Sequence, residues 1–129
     1  MKTAFAYLFF LMTAPLAAFA QDNACERYPQ STYDHTYCFS KLLVESDNEL
    51  NEVYRDLRGR LNASLRQDLT QVQRDWMRHR NMVCQEKAGT IIVNCNYRVN
   101  KERTDYLRDR LRECKTGNCR PNMIRQESW

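Results

Sequence analysis

Apolar residues recur every three or four positions over two long stretches of the chain, which is the spacing of one face of an α-helix. The first stretch covers about 40–61, and its inward positions are Leu43, Asp47, Leu50, Tyr54, Leu57 and Leu61. The second covers about 65–85, and its inward positions are Leu65, Leu69, Val72, Trp76, Arg80 and Val83. A weaker pattern predicts a third helix over 100–114, with inward positions Tyr106, Leu107, Leu111 and Cys114. The chain is therefore predicted to be all-α: a small, compact bundle built on a helical hairpin, with about three main helices.

The segments around these stretches contain the residues that start and stop helices. Asn100 is a candidate cap of the third helix, and Ser64 opens a Ser-x-x-Gln pattern, the capping box that predicts the start of the second. Residues 21–39 show no clear period and are predicted to form an irregular arm with one short helical turn, stapled by cysteine. Residues 86–96 are predicted to form a loop. The tail after Pro121 is predicted to be frayed, with docking of Met123 and Trp129 as the alternative.

Two charged residues occupy inward positions of the first two helices. A short connection makes these helices antiparallel neighbours. Asp47 lies 16 residues before Ala63 and Arg80 lies 17 after it, so the two side chains are expected at the same level of the hairpin. We expect a partly buried ion pair between them, with Asn51 and Gln73 satisfying further polar groups nearby.

A catalytic role for Asp47 and Arg80 together with His79 is the alternative interpretation of the same residues. The sequence contains no nucleophile elbow, no glycine-rich phosphate loop and no His-Glu-x-x-His pattern. No pair of carboxylates is singled out for sugar cleavage. The sequence therefore predicts a protein that is not an enzyme, with no catalytic, cofactor-binding or metal-binding residue, although a small hydrolase stays an alternative.

The first 20 residues have the features of a secretory signal peptide. Lys2 precedes an apolar run of about 17 residues, which ends in the small-x-small sequence Ala18-Phe19-Ala20. A membrane anchor is the alternative, but a span needs roughly 20 apolar residues. The nearest cysteine, Cys25, lacks the preceding residues that lipid attachment requires. We expect cleavage after Ala20, an exported domain of residues 21–129 in the periplasm or medium, and no stable membrane anchor.

All six cysteines lie in the expected exported domain, and an even number in an exported chain predicts disulfides. Fifteen pairings are possible, of which nearest-neighbour pairing is the simplest, and a link from one of the first two cysteines to a later one stays open. Zinc binding is disfavoured because no Cys-x-x-Cys pair is present. The cysteines are Cys25, Cys38, Cys84, Cys95, Cys114 and Cys119.

Composition narrows the fold and the class of partner. The chain has only three Gly and three Pro, fewer than a fold of many short strands normally needs. Loss of Lys2 with the leader leaves 19 basic and 16 acidic residues, a net charge of +3. Because this charge is small, well mixed and carried by an exported chain, a nucleic-acid partner is not expected.

A set of spaced residues in 38–107 resembles one protein family. The first two elements are Asp47-x-x-Leu50-Asn51-x-x-Tyr54 and Gln73-x-x-Trp76-x-x-x-Arg80-x-x-x-Cys84, and Cys95 and Arg103 follow. Together they resemble the LprI-like lysozyme-inhibitor family of small exported bacterial proteins. The resemblance implies a helical, disulfide-bonded domain and inhibition of lysozyme at the cell envelope. The pairing of polar residues across the predicted hairpin indicates that the motif residues have a structural role. These residues are Asp47, Leu50, Asn51, Tyr54, Gln73, Trp76, Arg80 and Arg103.

The candidate surface for a protein partner is the 85–94 loop. Ile91, Ile92 and Val93 form an apolar triplet that is expected either to protrude into a cleft of the partner or to cover the open end of the hairpin. The preferred hypothesis is a binding protein that inhibits lysozyme or another peptidoglycan-degrading enzyme. The alternative is a structural, interaction or immunity-type protein of the envelope with no affinity for lysozyme.

Overall fold

The computed structural model describes residues 24–127 and residue 129, and these form a single helical turn at 24–26 followed by three long helices and one short helix. The helices are α1 (Tyr33–Arg60), α2 (Ala63–Val83), α3 (Val93–Lys115) and α4 (Pro121–Ile124). The described part of the chain contains no strand, and the prediction of an all-α fold with three main helices is confirmed. The predicted leader, residues 1–20, lies outside the described residues.

α1 begins at Tyr33, so the prediction of an irregular arm is wrong for the last seven residues of 21–39. The Thr32 hydroxyl accepts a hydrogen bond from the backbone N–H of His35 at 3.3 Å and caps the helix. His35 and Phe39 lie on the buried face of this first part of the helix. The apolar pattern does not reveal this part of the helix, because one of its two inward residues, His35, is polar.

The second helix is capped by Asn62 and not by the predicted capping box at Ser64. The Asn62 side chain accepts from the backbone N–H of Leu65 at 3.0 Å, which starts the helix at Ala63. Only Leu61 and Asn62 separate α1 from α2, and this short connection places the two helices antiparallel.

The third helix begins seven residues earlier than predicted, at Val93, so the assignment of Asn100 as its cap is wrong. Asn100 lies in the middle of α3 and is completely buried. The helical period of α3 continues backwards from Leu107 through Thr104 and Asn100 to Asn96, but these inward residues are polar. A search for apolar periodicity therefore missed the first two turns.

α3 runs parallel to α1 and packs closely against it, while α2 is antiparallel to both. Small polar residues, Ser46 on α1 with Asn100 and Thr104 on α3, are buried where these two helices meet. A larger apolar core fills the space between the helices. Its buried members are Leu50, Val53, Leu57, Leu61, Leu65, Leu69, Trp76, Leu107, Leu111 and Ile124.

Three disulfides are present, and they join nearest neighbours in sequence: Cys25–Cys38, Cys84–Cys95 and Cys114–Cys119. The first two lie at the end of the bundle where α1 begins. A second, smaller apolar cluster of Cys25, Phe39, Leu42 and Tyr97 fills that end. The third closes a short turn after α3 at the opposite end.

The first residues of the tail, Pro121–Ile124, pack against the bundle, which agrees with the docking alternative and not with fraying. Residues Pro121–Ile124 form α4, and Ile124 is buried in the main core. The Tyr106 hydroxyl donates to the Met123 carbonyl at 2.5 Å. None of the described helices has the length and apolar character that crossing a membrane requires.

Candidate functional site

The connection between α2 and α3 is a loop held at both ends, and we call residues 85–92 the anchored loop. The disulfide Cys84–Cys95 joins the two helices that flank it. The Ile92 backbone N–H donates to the Cys84 carbonyl at 2.9 Å, and the Asn96 side chain donates to the Ile92 carbonyl at 3.1 Å. The base of the loop is therefore closed by covalent and hydrogen bonds.

Thr90 organises the interior of the anchored loop. Its hydroxyl accepts from the backbone N–H groups of Glu86 at 3.2 Å and Lys87 at 3.1 Å, and donates to the Lys87 carbonyl at 2.7 Å. Gly89 has φ of +80°, a left-handed conformation that glycine adopts without steric strain. These bonds hold the loop in one conformation, which lowers the entropy lost when a partner binds.

The predicted apolar triplet is divided between two environments. Ile91 is 60% exposed and stands at the surface of the loop. Ile92 is the N-cap residue of α3, and Val93, its first residue, packs beside the cluster that contains Phe39. One residue of the triplet, Ile91, can thus contact a partner freely, and Val93 covers part of the end of the bundle.

Exposed apolar side chains also lie at the end of α2, next to the anchored loop. Met82 is 64% exposed and Val83 is 45% exposed, although Val83 had been predicted to face inward. The Val83 carbonyl lies 3.9 Å from the sulfur of Cys95, which places this turn of α2 against the base of the loop. Met82, Val83 and Ile91 therefore present apolar surface at one end of the molecule.

A cavity of about 470 Å³ lies between the anchored loop and the start of α1. Glu86, Thr90 and Ile91 line it from the loop, and Ser31 and His35 line it from the other side. The His35 ring is buried against Phe39, and within the described structure its Nε2 atom has no hydrogen-bond partner. The cavity is a recess beside the protruding loop that a partner's side chain can enter.

The expected ion pair of Asp47 and Arg80 is confirmed, with 3.4 Å between Arg80 Nη1 and Asp47 Oδ1. Asn100 is the residue that completes it. Its side-chain oxygen accepts from Arg80 Nη1 at 3.0 Å, and its nitrogen donates to Asp47 Oδ1 at 2.6 Å and to the Ser46 hydroxyl at 3.2 Å. All three long helices meet in this network. Asn51, which had been expected to take part, is exposed.

The Gln73 side chain is fixed by a hydrogen bond from the buried Arg103. Arg103 Nε donates to Gln73 Oε1 at 3.0 Å, and the guanidinium group lies 5.3–5.9 Å from the ring centres of Trp76, Tyr106 and Trp129. Burial lowers the pKa of Arg103 to about 10, because desolvation disfavours the charged form. Neither Nη atom has a hydrogen-bond partner within the described structure, so the aromatic rings are the main compensation for this buried cation.

The motif residues come together around one groove between α1 and α2, which we call the helical groove. Seven of the eight line a cavity of about 330 Å³, and the eighth, Arg103, lies behind Gln73. Leu50 and Trp76 are also members of the main core. Tyr54 lies at the edge, with its hydroxyl 3.2 Å from that of Thr70.

A second exposed turn follows α3 at residues 115–120, and the basic residues in it and just after it are engaged in ion pairs. Arg120 pairs with Glu113, and Arg125 pairs with Asp68 at 2.8 Å. Among residues 24–127 and 129, no group of three or more His, Cys, Asp or Glu side chains is placed to hold a metal ion. The anchored loop and the helical groove are thus the two candidate sites.

Comparison with known protein families yields one match. The family model described as Lysozyme inhibitor LprI matches residues 23–107, a range that contains both the helical groove and the anchored loop. No curated protein and no solved structure matches the chain.

Proposed function

Since the chain belongs to the LprI lysozyme-inhibitor family, we propose that it binds lysozyme or a similar peptidoglycan-degrading enzyme and blocks it with the anchored loop. The observation that carries this proposal is the loop itself, a preorganised protrusion with Ile91 at its surface and a recess beside it. Inhibitors of this kind bind well because a rigid loop loses little entropy on entering a cleft.

The proposed interface has a limited apolar centre with polar groups around it. Met82, Val83 and Ile91 supply the apolar contact, and the exposed Glu86 and Lys87 supply charges at the edge. Protein interfaces commonly place apolar residues at the centre and polar ones at the rim. The family is in general non-catalytic, in agreement with a binding role.

We also propose that the protein works outside the cytoplasm after cleavage of residues 1–20. Family membership and the three disulfides support export, because disulfides persist in oxidising compartments. The processed chain would then be residues 21–129, in the periplasm or the medium.

Titration of the oxidised exported protein into a lysozyme assay on cell-wall suspensions tests the proposal. We expect a stoichiometric loss of lytic rate. The variant Ile91→Asp should weaken inhibition by at least roughly 30-fold, since loss of a central apolar contact costs about 2 kcal/mol or more. Ile91 is chosen over Ile92 because it is exposed, so its replacement does not disturb the bundle.

Val44→Asp is the matched control. Val44 is 61% exposed on α1, outside the anchored loop, and its replacement adds the same charge to an exposed apolar position. Full inhibition by both variants would reject the loop as the interface. Absence of inhibition by the unmodified protein against several lysozyme types would reject the proposed activity and leave an interaction protein of the envelope.

A further inference from the structure

The helical groove contains polar groups that the fold does not use. Asn51 is exposed at its rim, and no hydrogen bond from its amide to another described residue occurs. Arg74 also lines the groove, is exposed and forms no ion pair with the described residues. Asn51 and Arg74 lie within one helical turn of Asp47 and Gln73, whose side chains are held by hydrogen bonds. The groove therefore combines free polar groups with fixed ones.

Arg103 determines the orientation of the Gln73 amide. Because Gln73 Oε1 accepts from Arg103 Nε, the amide nitrogen is left as a donor, and it makes no hydrogen bond to any other described residue. The Tyr54 hydroxyl is likewise oriented by a neighbouring side chain, that of Thr70. Thr70 gives its hydroxyl proton to the Arg66 carbonyl at 2.7 Å, so the Tyr54 hydroxyl donates to Thr70 and keeps its own lone pairs free.

Stability alone does not require this arrangement. Buried charged networks are commonly no more stable than apolar residues of the same volume. The protein nevertheless keeps Asp47, Arg80 and Asn100 in a bonded network beside the groove, and a buried Arg103 behind it. Supporting bonds of this kind are what hold the direct contacts of a binding site in place.

The shape and chemistry of the groove disfavour a peptide as the ligand. Helix backbones form its walls, so no free strand edge is available for an added strand. A bound amphipathic helix would need a longer apolar groove, but here Asn51 and Gln73 line the groove together with the apolar Leu50 and Met77. A compact ligand with several polar groups and one apolar face fits better, and the volume of about 330 Å³ is at the lower end for ligand pockets.

We propose that the helical groove binds a single sugar unit that carries an acetamido group and a carboxylate. Gln73 and Asn51 would donate to the acetamido oxygen. The Tyr54 and Asp47 oxygens would accept from hydroxyl or N–H groups of the sugar. Leu50 and Met77 would contact the apolar face of the ring. Asp47 and Arg80 balance each other, which leaves Arg74 as the one uncommitted charge among the residues that line the groove. That charge selects an acidic sugar. This site is separate from the anchored loop and does not depend on inhibition.

Titration of the ¹⁵N-labelled, oxidised protein with N-acetylmuramic acid tests this inference by NMR. We expect saturable shifts of the side-chain amide signals of Asn51 and Gln73, with a dissociation constant on the order of millimolar, as for a small polar ligand. N-acetylglucosamine, which lacks the carboxylate, should bind roughly tenfold more weakly. Arg74→Gln should remove this difference between the two sugars.

Asn51→Ala should weaken binding, and Asn48→Ala, an exposed asparagine of the same helix outside the groove, should leave it unchanged. Equal or tighter binding of acetyl-alanyl-alanine, which carries an amide and a carboxylate but no sugar ring, would overturn the proposal in favour of a peptide site. Absence of saturable shifts at Asn51 and Gln73 would overturn it as well.

The two proposals fail independently. Asn51→Ala and Arg74→Gln should inhibit lysozyme as the unmodified protein does, and Ile91→Asp should bind the sugar normally. Loss of both properties in any one of these variants would show that the two sites are not separate.

Discussion

At the scale of single residues, Asn100 shows how a tertiary contact can reverse an assignment made from sequence. Asparagine is a common helix cap, and its position before an apolar pattern predicted that role. In the structure it lies in the middle of α3, where its amide bonds to Asp47, Arg80 and Ser46. One short side chain with a donor and an acceptor thus completes a network between three helices.

Replacement of Asn100 by alanine should destabilise the protein by about 2–4 kcal/mol. It removes three hydrogen bonds, and the partly buried Asp47–Arg80 pair loses the amide that bonds to both of its members. Urea denaturation followed by circular dichroism measures the change. Asn51→Ala is the control and should cost less than about 0.5 kcal/mol, because Asn51 is exposed. A cost for Asn51→Ala equal to that for Asn100→Ala would contradict this account.

The same network shows which residue contacts the sequence could reveal. The pairing of Asp47 with Arg80 followed from counting residues on either side of the short connection after α1, and the structure confirms it. The role predicted for Asn51 was wrong. The buried face of α1 includes Ser46, one position before Asp47, which had been placed on that face. Each position on a helix turns by about 100°, so an error of one residue moves a side chain to another face.

At the scale of helices, the closest packing is between α1 and α3, which are not consecutive in the chain. Ser46, Asn100 and Thr104 are small enough to let these two helices approach closely, and each has its polar atoms bonded. An apolar pattern does not reveal such a contact. The sequence therefore favoured α1 with α2, while the groove between those two helices is left open in part.

The shape of the anchored loop depends on the disulfide Cys84–Cys95, which joins the two helices on either side of the loop. Replacement of both cysteines by alanine should lower the free energy of unfolding by about 2–3 kcal/mol, because the disulfide closes a loop of 11 residues. It should also weaken inhibition, since a mobile loop loses more entropy when it binds. Denaturation and the lytic assay measure the two effects.

Replacement of Cys114 and Cys119 by alanine is the matched control. That disulfide closes a loop of five residues at the other end of the bundle. The variant should lose stability but keep full inhibition. Inhibition that survives loss of Cys84–Cys95 unchanged would show that the rigidity of the anchored loop is unimportant.

At the scale of the whole molecule, ion pairs join the chain's later part to the bundle. Glu113 accepts from Arg110 at 2.8 and 2.9 Å and also pairs with Arg120, across the Cys114–Cys119 turn. The hydrogen bonds from Arg120 and then Arg110 lower the pKa of Glu113 to about 2. Because the folded pKa lies below the unfolded value, this contribution is complete above about pH 4.5 and is lost as the pH falls towards 2.

Glu113→Gln should therefore reduce the fall in melting temperature between pH 4.5 and pH 2. The effect should be modest, under about 1 kcal/mol, because solvent screens a carboxylate near the surface. Melting curves by circular dichroism at several pH values measure it. Glu52→Gln, which removes an exposed carboxylate that forms no ion pair with the described residues, should leave the acid dependence unchanged. An identical pH profile for Glu113→Gln and the unmodified protein would rule out this linkage.

The helical class, the order of three long helices, the disulfide-rich character and the level at which Asp47 meets Arg80 are all predictable from the sequence. These features depend on local periodicity and on chain length, which a linear pattern records. Three other features depend on contacts between distant parts of the chain: α3 starts at Val93, Asn100 joins three helices, and Ile91 is exposed while Val93 is partly covered. The physical reason is that buried polar residues become favourable only when partners from distant parts of the chain satisfy them.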